Sequence, residues 1–185
     1  PLIFWSCEND NSKPNILWIV TEDNSIHYMN LYTEGGAEMS QINALAAQGV
    51  VFDNAFSNSP VCSVARSTLI TGVYAPRVGT QYHRRMNRVK LPDDVKPLPL
   101  YLKEAGYYTT NNAKEDYNFM KDGEIWDESS GTATYRKRKE NQPFFHVQNF
   151  HNTHEGQLHF NKQHLEEALK NNNLDSITPF PYHPD

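Results

Sequence analysis

The chain has 185 residues, a formal net charge of −5 and a pI near 5.9. This length is enough to bury one substantial core, and the acidic balance gives no general case for binding nucleic acid. The sequence contains no apolar run of membrane-spanning length, no internal repeat and no extended low-complexity segment.

The first segment, PLIFWSCENDNSK, is an apolar stretch that runs into Cys7 and then into a polar tether. It resembles the end of a bacterial lipoprotein signal, which implies export to the periplasm or to the outer-membrane or cell surface, with a lipid on Cys7 as the membrane contact. A disulfide between Cys7 and Cys62 is the competing interpretation for an exported chain. We expect both cysteines to be unpaired. The expected organisation is a signal remnant with its tether, residues 1–13, and a folded part, residues 14–185.

The first predicted strand is the continuous apolar run from Ile16 to Val20, which ends abruptly in polar residues. Such a run is typical of a buried parallel strand whose carboxyl end delivers side chains into a crevice. Glu22 and Asp23 follow it, and adjacent carboxylates repel each other unless a cation compensates them. A hard divalent ion with oxygen ligands, Ca²⁺ or Mg²⁺, fits this pattern. An N-cap followed by a solvated turn is the alternative.

The next segment predicts an amphipathic helix that ends at Gly49, followed by a short strand from Val50 to Phe52. The apolar or small positions of the helix are Met39, Ile42, Leu45 and Ala46. We expect this element to contribute packing and no chemistry.

A second helix is predicted after Pro60, with Cys62 at its start and Gly72 as its stop. Cys62 and Arg66 are four residues apart, so they share one face of that helix. The helix start favours an anion, because its backbone N–H groups have no partner within the helix. The pattern therefore predicts a site for a tetrahedral oxyanion with a reactive thiol. A half-buried free cysteine is the alternative.

A helix from about Pro97 to Gly106 and a strand from Tyr107 are predicted next, and the strand leads into a polar loop. Lys114 lies in that loop, where its ammonium could bind an oxyanion. A solvated surface lysine is the alternative.

The last predicted strand runs from Phe144 to Phe150 and is followed by His151 and His154. An imidazole can bind an anion when protonated and can donate a proton to a departing oxygen. The spacing of the two histidines also suits a pair of zinc ligands, which is the competing interpretation. His151 could instead be structural.

Together these segments resemble the sulfatase family, whose signature has a cysteine, a proline two residues later, an arginine and a Leu-Thr-Gly turn. The matching residues are Cys62, Ala65, Arg66, Leu69, Ile70, Thr71 and Gly72. Val64 stands where the family usually has proline. The resemblance implies that a maturation enzyme oxidises Cys62 to formylglycine, whose hydrated aldehyde attacks sulfur with one hydroxyl and expels sulfate with the other.

The resemblance also implies roles for the other candidate residues. Glu22 and Asp23 match the family's calcium-binding Asp-Asp pair, and the modified Cys62 is a further metal ligand, with Arg66 holding the hydrated aldehyde. Lys114 matches a sulfate-binding lysine. His154 matches a histidine that contacts sulfate and the leaving oxygen.

Asp116 stands where the family has a second histidine, two residues after the lysine. A carboxylate cannot donate a proton at neutral pH unless its pKa is raised. Asp116 is therefore left without an assigned role.

The implied fold is α/β, an alkaline-phosphatase-like sandwich with a mainly parallel central sheet flanked by helices. The resemblance covers residues 14–185 but only the family's N-terminal part, so we expect a fragment that is inactive alone. The expected activity is calcium-dependent hydrolysis of sulfate esters, on a sulfated small molecule or glycan. The alternatives are a phosphate or phosphonate ester hydrolase, and a catalytically inactive lipoprotein that binds sulfated glycans.

Overall fold

The computed structural model describes residues 13–159 and 161–171. Four strands form one sheet in the order β1-β4-β2-β3. Their bounds are β1 Ile16–Thr21, β2 Tyr108–Asn112, β3 Glu128–Ser129 and β4 Phe144–Phe150. β2 pairs in parallel with both β3 and β4. The mainly parallel α/β fold predicted from the sequence is confirmed.

In the described ranges, four α-helices lie between β1 and β2, and a fifth follows β4. They are α1 Ser40–Ala46, α2 Cys62–Thr71, α3 Ala75–Val78, α4 Leu98–Glu104 and α5 Lys162–Asn171. Short 3-10 helices are Ile26–Tyr28, Tyr135–Lys137 and Glu155–Leu158. No helix in the described ranges is long and apolar enough to cross a membrane.

The described chain forms two compact units. The core unit contains the described residues up to Ile19 together with Asn58–Asn149, and the second unit contains Val20–Ser57 with the described residues from Phe150 onward. All the buried apolar residues found in the described ranges belong to the core unit, including Val64, Phe119 and Phe145. Cys7 and the rest of residues 1–12, which make up all but the last residue of the predicted signal remnant and tether, lie outside the described residues.

Helix α2 begins and ends as the sequence predicts. The backbone of Val61 is extended at its start, and Gly72 ends it with a left-handed backbone of φ 67°. Ser67 fixes the helix from inside, because its hydroxyl donates to the carbonyl of Ser63 and accepts the backbone N–H of Asn118. These buried hydrogen bonds orient the face that carries Cys62 and Arg66.

Two predictions about the first segments differ from the structure. The run from Ile16 to Val20 forms β1 as expected, but Leu17 and Ile19 are 51% and 59% exposed. A continuous apolar run predicts burial on both faces, whereas β1 is the edge strand of this sheet and the described residues cover only one face.

The predicted strand from Val50 to Phe52 is wrong. Both end residues are more than 70% exposed, with Val50 at 78% and Phe52 at 71%, and the segment pairs with no other strand in the described part of the chain. Strand structure needs a hydrogen-bonded neighbour, which this segment lacks there. The preceding helix α1 has no buried residue either. The packing that its apolar pattern predicts is therefore not found in the described part of the chain.

Gly72→Ala should lower the free energy of unfolding by about 1–2 kcal/mol, because alanine pays a steric cost in the left-handed backbone that ends α2. Urea unfolding of the two proteins measures this difference. Gly131→Ala is the matched control, since an added Cβ there meets no atom within 4 Å. Equal losses in both variants would contradict the assignment of Gly72 as a conformational stop.

Candidate active site

Cys62 is the first residue of α2 and is half-buried. It has no disulfide partner in the described ranges. The next two residues, Ser63 and Val64, are fully buried at 0% exposure, so they anchor the helix start in the core. The thiol therefore lies at a rigid helix N-terminus, where the helix dipole favours an anion.

Arg66 lies one turn further along α2 and is held by two distant segments. Its Nη1 donates to the backbone carbonyl of Lys114 and to Oδ1 of Asn149, at 2.9 Å in both cases. The structure thus brings Arg66 to the loop of Lys114, as a shared site requires. A guanidinium has five N–H donors in a planar fork, so one side chain can join several segments at once.

Asn149 is the link between Arg66 and the centre of the sheet. While its Oδ1 accepts from Arg66, its Nδ2 donates to Oδ1 of Asn111 at 3.1 Å and to the carbonyl of Asn112 at 2.8 Å. The amide of Asn111 then donates to the Ser129 hydroxyl at 3.0 Å. The donor and acceptor ends of each amide are therefore fixed by their neighbours, and the chain of bonds crosses β4, β2 and β3.

Asp116 does not stand alone in the loop after β2. Arg84 binds both of its carboxylate oxygens, with distances from 3.0 to 3.3 Å. The backbone N–H of Arg84 donates to the hydroxyl of Ser63, which lies 3.0 Å from Nδ1 of His83. In this arrangement the Asp116 oxygens are acceptors, so the residue does not reproduce the proton donor that a histidine would supply.

Glu22, Asp23, His151 and His154 form a separate group in the second unit. The Glu22 side chain is only 3% exposed, and its Oε2 lies 3.1 Å from Nδ1 of His151 and 3.9 Å from Nε2 of His154. The backbone N–H of Glu22 donates to the carbonyl of Phe150 at 3.3 Å. A buried carboxylate needs such partners, because burial of an unpaired charge is costly.

Asp23 and His154 are fixed by the chain that follows β4. Asp23 has a left-handed backbone, φ 53°, and its Oδ2 accepts the backbone N–H of Glu155 at 2.8 Å. Nδ1 of His154 accepts the backbone N–H of Gly156 at 2.9 Å. Since that nitrogen is an acceptor, Nε2 is the position of His154 that carries a proton to donate.

Glu22 and Asp23 have the oxygen ligands that a hard cation prefers, but too few of them to fill its coordination shell. Glu22 and Asp23 offer carboxylate oxygens, whereas Ca²⁺ takes about six to eight oxygen ligands. In the ranges that the structure describes, no cluster of three or more His, Cys, Asp or Glu side chains is arranged to hold a metal ion. The described residues therefore do not form a complete coordination shell.

Several residues of these groups escaped the sequence analysis. Asn149 carried a signal, since it is a polar residue near the end of an apolar strand. Arg84 and Ser63 carried none, because their contacts join segments about twenty residues apart through a loop without periodicity. The sequence predicts His151 as a structural residue or a zinc ligand, and it does not predict the contact with Glu22, which spans 129 positions.

The sulfatase family model matches residues 14–177, and the chain belongs to that family. An ulvan-active sulfatase of Formosa agariphila is 38% identical over 156 residues, which are 79% of this chain and 26% of the relative. Human N-acetylgalactosamine-6-sulfatase is 34% identical over 103 residues, which are 51% of this chain and 20% of that protein. The chain thus spans about a quarter of the length of the first relative.

Solved structures show the same fold. A 2-O GAG sulfatase superimposes with a TM-score of 0.61 at 20% identity, over 76% of this chain and 36% of that one. A protein solved in complex with its substrate D-glucosamine-2-N,6-O-disulfate gives a TM-score of 0.59 at 19% identity, over 74% of this chain and 34% of that one.

Asn149→Leu should lower the free energy of unfolding by about 1–3 kcal/mol, because the buried partners of this amide lose a hydrogen bond. Denaturant unfolding measures the loss. Asn54→Leu, at an exposed position of the second unit, is the control and should change stability by less than about 0.5 kcal/mol. A variant at Asn149 as stable as the wild type would mean that the amide does not hold Arg66 in place.

Proposed function

We propose that the protein hydrolyses sulfate esters of carbohydrates. The observation that supports this most directly is the position of Cys62 at the start of α2, one helical turn from an Arg66 that is bonded to the Lys114 loop. The curated relatives named above are sulfatases, and their names refer to ulvan and to N-acetylgalactosamine 6-sulfate. These names support a sulfated glycan as the substrate class.

The proposed nucleophile is a formylglycine made from Cys62 by a maturation enzyme. When formed, that group supplies two geminal hydroxyls, one to attack sulfur and one to expel sulfate. Arg66 orients the nucleophile and offsets its charge. Lys114 binds a sulfate oxygen as a compact cation, which favours the more highly charged transition state.

His154 is proposed as the proton donor to the departing sugar oxygen. Its Nδ1 is occupied as an acceptor by the backbone of Gly156, so the donated proton belongs to Nε2. Nε2 lies 3.9 Å from Oε2 of Glu22, which is longer than a hydrogen bond, so the bond at Nδ1 orients the ring. Proton donation matters because an alkoxide is a poor leaving group.

A divalent cation, Ca²⁺ or Mg²⁺, is proposed on Glu22 and Asp23 with the modified Cys62 as a further ligand. When bound, the ion would supply positive charge to stabilise the nucleophile and the sulfate oxygens. The buried carboxylate of Glu22, together with the Asp23 carboxylate that accepts the backbone N–H of Glu155, supports an oxygen-ligand site.

We propose that the protein is exported to the periplasm or to the bacterial surface, and that a lipid on Cys7 attaches it to the membrane. The apolar stretch before Cys7 supports it.

Hydrolysis of a phosphate or phosphonate ester remains the second candidate activity. It is favoured by Asp116, which replaces a histidine and is bound by Arg84. Parallel assays with aryl sulfate and aryl phosphate esters distinguish the two activities.

Conversion of Cys62 can be measured by mass spectrometry on the natural full-length protein, co-expressed with a maturation enzyme. The tryptic peptide containing Cys62 should be lighter than the thiol peptide by about 18 Da. Val64→Pro should raise the converted fraction, because it restores the residue usual in the family. Proline is tolerated at this third residue of α2, since a first-turn N–H has no intrahelical partner.

Val64→Ala is the matched control for this experiment and should leave the converted fraction unchanged. An unmodified thiol in both the wild type and Val64→Pro would exclude the formylglycine mechanism. If sulfated glycans still bound to that protein, the inactive glycan-binding lipoprotein would become the favoured function.

Asp23→Asn should weaken Ca²⁺ binding by roughly tenfold or more, because it removes one carboxylate from the ligand set. Asparagine tolerates the left-handed backbone found at this position, so the substitution isolates the charge. Isothermal titration calorimetry with calcium on the natural full-length protein measures the change. Asp53→Asn, at an exposed aspartate of the same unit, is the control. Equal affinities in the wild type and Asp23→Asn would remove Asp23 from the proposed site.

A further inference from the structure

A polar cavity of about 310 Å³ lies in the core unit beside the Lys114 loop. Ala113 and Glu115, the two neighbours of Lys114 in the chain, are among its lining residues. The carbonyl of Lys114 itself accepts a hydrogen bond from Arg66. The volume lies at the lower end of the range for ligand pockets, about 300–1,000 Å³. The cavity therefore adjoins the loop that the proposed function assigns to sulfate binding.

Most of the charges on the cavity wall are neutralised by ion pairs. Lys121 binds the carboxylate of Glu115 at 2.8 Å, and Arg84 binds both oxygens of Asp116. Arg88 also lines the cavity, and its guanidinium has no hydrogen bond or ion pair in the part of the chain that the structure describes. One uncompensated positive charge thus remains on a polar wall.

The backbone next to Arg88 is held in place. The N–H of Val89 donates to the carbonyl of Asn118 at 3.3 Å, and the carbonyl of Val89 accepts the N–H of Met120 at 2.8 Å. Phe119, between these two partners, is fully buried and stacks on the ring of Tyr117, another lining residue, at 5.1 Å. Arg88 therefore extends from an anchored segment, which reduces the entropy lost when it binds a ligand.

We propose that this cavity is a flanking subsite. It holds the sugar next to the one that carries the hydrolysed sulfate ester, and Arg88 binds an anionic group on this neighbouring sugar. A guanidinium matches the geometry of both a carboxylate and a sulfate, with two parallel N–H donors. The substrate class is then a glycan with an acidic sugar beside the sulfate ester. This inference rests on the proposed function for its connection to hydrolysis, but the subsite is a binding property that can be measured separately.

The probes are three 6-O-sulfated disaccharides whose neighbouring sugar is a hexose, the corresponding uronate, or the same hexose with its own sulfate. With the natural full-length protein, kcat/KM should be highest for an acidic neighbour. Comparison of kcat/KM for the uronate and the disulfated probe identifies which anion is preferred. Arg88→Gln should lower the ratio of acidic to neutral substrate roughly fivefold, as expected for a partly exposed charge pair. Arg88→Lys should lower it less.

Lys90→Gln is the matched control, because Lys90 is an exposed cation two residues away that pairs with Asp93 and does not line the cavity. It should leave the ratio unchanged. A wild type without a preference for acidic neighbours, or an Arg88→Gln protein with the wild-type ratio, would overturn the subsite.

Calorimetric binding of the same probes to Cys62→Ala separates this inference from the proposed function. A binding preference of Cys62→Ala for acidic neighbours that depends on Arg88, combined with no hydrolysis of any probe by the wild-type protein, would support the subsite and reject the activity. Hydrolysis without that preference would do the reverse. No binding and no hydrolysis of any probe would reject both.

Discussion

The geometry of the candidate active site depends on the hydrogen bonds of the Arg66 guanidinium. It joins α2 to the carbonyl of Lys114, 48 residues away, and to Asn149, 83 residues away. A partly buried cation must satisfy its donors, because an unpaired charge is costly away from water. The same bonds that satisfy Arg66 therefore fix the helix that carries Cys62 against the loop that carries Lys114.

The centre of the sheet supports this contact with polar groups in place of a purely apolar core. Thr110 bonds to His146 at 2.7 Å, and the amides of Asn111 and Asn149 are bonded to each other at 3.1 Å. These side chains are at most 4% exposed. A one-residue slip of the strands would leave them without partners, so the network specifies the register that delivers Asn149 to Arg66.

Left-handed backbone occurs in both groups of candidate site residues, the one in the core unit and the one in the second unit. In the described ranges, four residues other than glycine have positive φ, and Asp23, Arg84 and Asp116 are three of them, the fourth being Asn141. Each such residue costs about 1–3 kcal/mol, and persists only where its surroundings compensate it. Arg84 is the least tolerant type of the four, and its backbone bond to Ser63 and its ion pair with Asp116 supply that compensation.

The sequence by itself determined the parts of this protein that local patterns encode. The limits of α2, the positions of β1, β2 and β4, and the family were all predictable, because helix stops, apolar periodicity and the spacing of Cys62 and Arg66 are properties of neighbouring residues. Tertiary structure alone decided the partners of the site residues: Asn149 for Arg66, Arg84 for Asp116 and His151 for Glu22. It also left Val50 to Phe52 outside any strand, since a strand exists only with a neighbour to pair with. Such contacts join residues tens of positions apart, and no local spacing records them.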